Sequence, residues 1–291
     1  MAKDKIAYVC SNCGQESAKW IGKCPSCGQW NTFKEIRIAG NTGSMAARSA
    51  AQSVRASVAG SPNKPLHLHE ISAKDEPRID TNDTELNRVL GGGLVQGSIV
   101  LLGGEPGIGK STLTLQTILR MNDRRILYVS GEESTHQLKL RADRICPDGQ
   151  KDNVMILCET SLEHIFEYIK DTHPEVVIID SIQTIATAEV ESSPGSITQV
   201  RECAASLLRF AKTSGVPVVL IGHINKEGTL AGPKILEHIV DTGIQFEGDQ
   251  HYMYRILRSI KNRFGSTSEL GIYEMERNGL RQVSNPSELL L

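Results

Sequence analysis

Gly104-Glu105-Pro106-Gly107-Ile108-Gly109-Lys110-Ser111 leaves this chain few folds to choose from. The stretch fits G-x-x-x-x-G-K-[ST] at every fixed position. In that pattern backbone N–H groups wrap phosphate oxygens, a lysine reaches the outer phosphates and a hydroxyl meets Mg²⁺. The pattern has meaning only between a buried strand and a helix N-terminus, whose free N–H groups and positive dipole end face the phosphates. Both flanks are present. Ser98 to Leu102 is an apolar strand, and Ser111-Thr112 opens a helix running to Leu119. Residues Gly104 to Thr112 are therefore expected to hold a nucleoside triphosphate.

From that loop onward, apolar strands alternate with amphipathic helices. Strands are expected at 125–130, 154–157, 176–180 and 218–222. Helices are expected at 135–144, 160–170 (through a Thr160-x-x-Glu163 capping box) and 197–212. Continuous apolar strands between helices mean a mostly parallel sheet covered on both faces. After Asp241 the pattern turns to strands alone, at 242–247, 252–261 and 272–276, an antiparallel extension of one edge. The fold class is α/β.

Ligands of such sheets bind beyond the strand carboxyl ends. Asp180 ends the apolar strand Val176-Val177-Ile178-Ile179, the setting of a carboxylate that joins Ser111 in holding Mg²⁺. Glu132, with Glu133 as the alternative, follows a strand expected to neighbour the loop and is the candidate for orienting water. An acidic first helical turn accounts equally for Glu133. His223 tips another strand, as a phosphate sensor or as a cap. Lys261 and Arg263, in Lys261-Asn262-Arg263-Phe264-Gly265, read either as a solvated turn or as a positive finger on a projecting hairpin, reaching a nucleotide on another subunit.

The first 33 residues form a separate module. Cys10-x-x-Cys13-Gly14 and Cys24-x-x-Cys27-Gly28 are two thiolate turns, each followed by a glycine for the positive-φ position. Four thiolates close a structural Zn²⁺ site and leave no open position for catalysis. A redox C-x-x-C needs one pair beside a βαβ unit, not two pairs in so short a segment. A hairpin at 17–23 is expected between the pairs, with Trp20, Trp30, Tyr8 and Phe33 covering metal and ribbon. Metal binding supplies folding energy that so small a core lacks. Cys146, Cys158 and Cys203 are scattered and read as small buried hydrophobes. Residues 34–65 are small, polar and turn-forming, a flexible linker, and the large domain occupies 66–291. His67 and His69 alternate on an expected strand at 66–71.

Of 291 residues, 32 are Lys or Arg and 34 Asp or Glu, so no global basic field exists and nucleic acid must meet local patches. No apolar run approaches the ~18 residues of a membrane span. The start of the chain, Met1-Ala2-Lys3-Asp4-Lys5, lacks a signal-peptide core. Free thiols and a nucleotide site fit the cytoplasm.

Taken together, the Cys₄ module, Leu90-Gly91-Gly92-Gly93-Leu94, the phosphate loop, Asp180-Ser181 and above all Lys261-Asn262-Arg263-Phe264-Gly265 resemble the RadA (Sms) family of bacterial DNA-repair ATPases, relatives of RecA. The resemblance spans nearly the whole chain. It implies a RecA-like ATPase core behind a zinc ribbon, with ATP, Mg²⁺ and Zn²⁺ as cofactors. It implies binding of single-stranded and branched DNA, branch migration of recombination intermediates, a RecA-type recombinase as partner, and a hexameric ring with ATP at subunit interfaces. It implies roles for Lys110, Glu132, Asp180, Lys261 and Arg263 in catalysis. By analogy, loops at 188–197 and 226–234 face DNA, with Lys226, Lys234 and Arg263 as contacts; Glu189 and Glu191 do not help. The family continues into a domain like Lon protease near Pro286, and this sequence ends at Leu291. A nucleotide-controlled switch acting on protein partners shares the same loop and glutamates. A zinc-ribbon adaptor on an ATPase scaffold is the third reading.

Overall fold

The structure is a computed structural model that describes residues 5–10, 16–17, 19–25, 28–38, 67, 77–147, 152–223, 233–248 and 253–284. It divides into two compact units, Met1–Lys64 and Pro65–Leu291.

In the first unit, strands β1 (Lys5–Cys10), β2 (Glu16–Ser17) and β3 (Phe33–Ile38) form an antiparallel sheet in the order β2-β1-β3. Register sets Cys10 opposite Phe33. Cys10, Cys24 and Phe33 are buried together, with Tyr8 packed on them. The expected hairpin at 17–23 is replaced: Glu16–Ser17 pairs with β1, and the second turn closes through a bridge between Lys23 and Trp30. Trp20 and Trp30 do not serve as covers. They are 54% and 67% exposed; among the described residues the buried core of the ribbon holds two thiols and one phenyl ring. Regular structure continues through Ile38, past the expected ribbon end at residue 33. Cys13, Cys27 and His69 lie outside the described residues; His67 is in no strand.

The second unit opens with a short pair, β4 (Arg78–Ile79) and β5 (Leu94–Val95), flanking α1 (Thr84–Leu90). There follow β6 (Ile99–Gly104), α2 (Lys110–Arg120), β7 (Ile126–Ser130), α3 (Thr135–Ile145), β8 (Val154–Cys158), α4 (Leu162–Thr172) and β9 (Val176–Asp180). After a 3₁₀ turn at Ile182–Thr184 come α5 (Ile197–Ser214), β10 (Val218–His223), α6 (Pro233–Ile239), β11 (Thr242–Glu247), β12 (Tyr254–Asn262), β13 (Leu270–Glu276) and β14 (Gly279–Gln282).

Nine strands make one sheet in the order β14-β13-β12-β11-β6-β10-β9-β7-β8. The run from β11 to β8 is parallel, and β12 to β14 extend it antiparallel. Alternate side chains of each strand feed opposite faces. Val100, Leu102, Tyr128 and Ile178 meet Leu113, Ile118 and Leu138 of α2 and α3. Ile99, Leu101, Val129 and Ile179 meet Ile165, Val200 and Leu207 of α4 and α5. This doubly covered sheet is the expected α/β, RecA-like architecture.

Two local expectations change. The capping box at Thr160 does not form. Ser161 is the N-cap, its Oγ accepting from His164 N, and Glu163 is drawn instead to Thr187 and Ala188. A capping box does form at Ser134 and Gln137. Second, β7 does not neighbour β6; β10 and β9 stand between them.

The lower edge of the parallel strands is tied by Asp241, 5% exposed. Its Oδ2 accepts from Ile99 N at 3.1 Å and Lys212 Nζ at 2.7 Å, and Arg263 Nε lies 3.7 Å from Oδ1. Removing a buried carboxylate that satisfies both a strand N–H and an ammonium strands both partners. Asp241→Ala is expected to lower unfolding free energy by about 3 kcal/mol, measured by urea denaturation, with Asp241→Asn recovering part of the loss through the Ile99 bond.

Candidate active site

β6 is buried along its whole length and delivers Gly104 to the sheet's carboxyl edge. A Cβ at Gly104 would sit 2.6 Å from the Phe246 carbonyl of β11, so the close strand pairing admits no side chain there. Gly109 takes φ +114° and is the N-cap of α2, which has no side-chain cap. The first N–H groups of α2 are thus left for an anion to satisfy. Arg255, 6% exposed on β12, braces the loop by donating from Nε to the Ile108 carbonyl at 3.3 Å.

Lys110, 4% exposed, folds its ammonium back over this loop, donating to the carbonyls of Gly104 at 2.8 Å and Glu105 at 2.9 Å. Its Nζ also lies 3.2 Å from His223 Nδ1. An ammonium only donates, so Nδ1 accepts and the proton of neutral His223 sits on Nε2. That nitrogen donates to Glu132 Oε1 at 2.9 Å, and the same carboxylate accepts from the Ser181 hydroxyl. One chain of contacts thus joins Ser181, Glu132, His223 and Lys110. Glu132 arrives from the end of β7 and spans β9 to reach β10. Burial pushes its carboxyl up, but the bonds from Ser181 and His223, together with the Lys110 charge, outweigh burial and hold it below the usual range. It is an ionised acceptor. Glu133, the alternative, is paired with Arg141 at 2.7 Å.

Asp180, 6% exposed, ends β9 one strand from β6 across β10. Tyr128 OH donates to its Oδ2 at 2.5 Å and fixes the carboxylate. A hard carboxylate oxygen and the Ser111 hydroxyl in the first turn of α2 are the donor types that suit Mg²⁺. The residues fit that ion. His223, expected as a polar strand tip, joins the site, and Ser181 and Tyr128 complete it beyond the expected residues. His223 had a legible signal as a polar strand tip, and Ser181 one as the neighbour of Asp180. Tyr128 had none, because an aromatic ring in a buried strand reads as core.

Lys261 and Arg263 are elsewhere. Asn262 pairs with Thr242, which pairs with Val100; Arg263 N bonds to Asp241, level with Ile99. Five residues of strand at about 3.3 Å each place Arg263 roughly 16 Å below Gly104, at the opposite sheet edge. Nor does the motif project freely. Lys261 Nζ donates to the Glu237 carbonyl at 2.6 Å, Asn262 Nδ2 to that of Leu90 at 3.2 Å, and Arg78 Nη2 to that of Phe264 at 2.8 Å. The Arg263 side chain remains 59% exposed.

The expected DNA-facing loop at 188–197 is built rather than loose. Buried Gln199 donates from Nε2 to the carbonyls of Thr187, Val190 and Ser192, and its Oε1 accepts from Thr187 N. Helix α5 already begins at Ile197. Lys226 lies outside the described residues. Of Lys234 only the backbone is described, in the first turn of α6, so the expected loop has become helix by Pro233. In the ribbon, Cys10 and Cys24 are buried side by side, the soft donor type that suits Zn²⁺.

Burial lowers the Lys110 ammonium to about 8, with Asp180 and Glu132 partly restoring it. A polyphosphate beside Nζ favours the charged form, so the bound value rises above the free one. Between those values binding takes up a proton. Calorimetry of ATP binding at pH 8.5, in buffers of differing ionisation enthalpy, is expected to show uptake of a large fraction of a proton, falling toward zero at pH 7.

Residues 63–229 match the AAA domain family, and residues 8–35 match the rubredoxin metal binding domain. Over its full length the chain is 52% identical to a DNA repair protein RadA of Halalkalibacterium halodurans, 48% to that of Bacillus subtilis and 50% to that of Listeria monocytogenes. It spans 62% of the length of each of these curated relatives. A KaiC-like protein from Pyrococcus horikoshii shares the fold, with TM-score 0.58 and 20% identity over 72% of this chain and 99% of that one. The chain belongs to the AAA domain family, in its RecA-like form, and carries a zinc-ribbon-type module of the rubredoxin class ahead of it.

Proposed function

We propose that this chain is the ATP-hydrolysing motor of a recombinational DNA-repair protein, one that binds single-stranded and branched DNA and moves strand junctions. The observation that carries hydrolysis is the Lys110–His223–Glu132–Ser181 chain at the outer end of an uncapped phosphate loop. Phosphoryl transfer asks a protein mainly for position and charge. Lys110 leaves its loop carbonyls for the outer phosphates. Glu132, ionised and held by two donors, orients water. Asp180 and Ser111 would hold Mg²⁺, which supplies neutralising charge. The DNA-repair part of the reading is supported by the RadA relatives; the cytoplasmic setting and a RecA-type recombinase partner follow from the family resemblance alone. Zn²⁺ on Cys10, Cys13, Cys24 and Cys27 would fold the ribbon.

In this reading Lys261 and Arg263 serve the phosphate loop of an adjacent copy, as in a hexameric ring, because they stand at the edge away from their own loop. The alternative, a nucleotide switch acting on proteins, draws support from the loop at 188–196. That loop exposes Glu189 and lacks any cation, so it repels a phosphate backbone.

Single-stranded DNA at low salt is expected to raise ATP turnover several-fold, with log binding constant falling against log salt at about 0.7 per phosphate contact. Turnover indifferent to DNA would instead favour the switch. Arg263→Ala is expected to keep ATP affinity within about threefold while lowering kcat by at least ~10²-fold. Mixing it with Glu132→Gln should restore part of the activity when copies share sites; mixed oligomers with none refute action between subunits.

A further inference from the structure

The two tryptophans of the chain, Trp20 and Trp30, both stand in water on the cysteine ribbon, 54% and 67% exposed. Rings of that size are highly buried on average, and an exposed apolar patch rimmed by polar groups marks a contact surface. The two rings belong to one patch. A Cβ added to Gly22 would lie 3.8 Å from the six-membered ring of each, so they flank a single glycine. Ile21, 37% exposed, adjoins them.

The backbone beneath is fixed. Ser17 Oγ donates to the Lys19 carbonyl at 2.7 Å and accepts from Lys19 N at 3.2 Å. Asn31 N donates to the Gly22 carbonyl at 2.8 Å and Cys24 N to that of Gln29 at 2.9 Å, while Lys23 bridges Trp30 across the turn. The rings are held apart from the core at set positions, and little freedom is lost when something rests on them. Charge then selects the partner. Lys19 and Lys23 are exposed beside the rings, with Lys23 Nζ 5.7 Å from the Trp30 ring centroid. From Ser17 to Phe33 the sequence holds neither Asp nor Glu. Protein–protein interfaces are depleted of lysine, and a duplex keeps its base faces stacked on one another. Aromatic faces with cations alongside suit a strand whose bases are unpaired: the bases stack on the rings and the ammonium groups meet the phosphates.

We propose that Trp20 and Trp30, with Lys19 and Lys23, form a stacking platform for the unpaired bases of single-stranded DNA. The inference deepens the DNA-binding reading above and rests on it, and it gives the ribbon a task besides holding metal. Because the chain has no other tryptophan, its intrinsic fluorescence reports this surface alone. The full chain is titrated with a dye-labelled oligothymidylate, with and without ATP and Mg²⁺. Dye anisotropy reports binding anywhere on the chain, and tryptophan emission reports the platform. Emission is expected to fall as the strand binds, and a duplex of the same length is expected to leave it unchanged. Trp20→Ala and Trp30→Ala are each expected to weaken binding about tenfold. Trp30→Phe keeps it within about threefold, since a phenyl ring still stacks. Lys23→Gln is expected to lower the salt slope by about 0.7, one phosphate contact. Binding that leaves emission unchanged overturns the platform while the DNA-binding reading stands. Equal quenching by the duplex overturns it too. Alanine and phenylalanine variants weakened alike also overturn it, by placing the ring in the fold of the ribbon rather than on a base. No rise in anisotropy defeats the DNA-binding reading, and the platform with it.

Discussion

The ammonium of Lys110 is withdrawn from water before any phosphate arrives. Two loop carbonyls and a neutral imidazole accept its three N–H bonds, and Asp180 and Glu132 supply the countercharge. A buried cation with only neutral acceptors in contact is a poor final state, because carbonyls and imidazole replace water but do not neutralise charge. A phosphate anion improves every part of that balance. The loop is thus poised rather than satisfied, and the uncapped start of α2 adds orphan N–H donors with the same preference.

What brings the rest of the site to that lysine is strand order. Asp180 stands one strand away across β10, and Glu132 arrives from two strands beyond β10. Carboxyl ends of parallel strands open onto one edge, so the side chains meet there despite separations of dozens of residues in sequence. The same geometry sends Lys261 and Arg263 to the other edge, where Asp241 fastens strand β6 to helix α5. A motif that looks catalytic by its charges is, within one chain, part of the structural base, with only the Arg263 side chain left open to solvent.

Much of this was legible in the sequence. The apolar runs placed all the central strands to within two residues, since a buried parallel strand has few ways to be written. Asp180 was legible because a carboxylate after four apolar residues must sit at a strand end. The misreadings have a common cause. Thr160 and Ser161 are both good caps by type, and the choice went to Ser161 because Glu163 is held by the loop at Thr187. Trp20 and Trp30 are core residues by type, yet among the described residues of the ribbon no second layer buries them. Strand β14 was missed because Gly279–Gln282 is too short to show a period and is fixed by Gln116 from another element.

By itself the sequence determined the loop, its flanking strand and helix, the alternating α/β class and the two cysteine turns, because each is written in local spacing and periodicity. Only the tertiary structure decided that Glu132 rather than Glu133 meets His223, that Tyr128 holds Asp180, and that Lys261 and Arg263 lie far from their own loop. Those facts depend on which strands are neighbours. Strand order is set by long-range packing of two hydrophobic faces, which no local window of residues records.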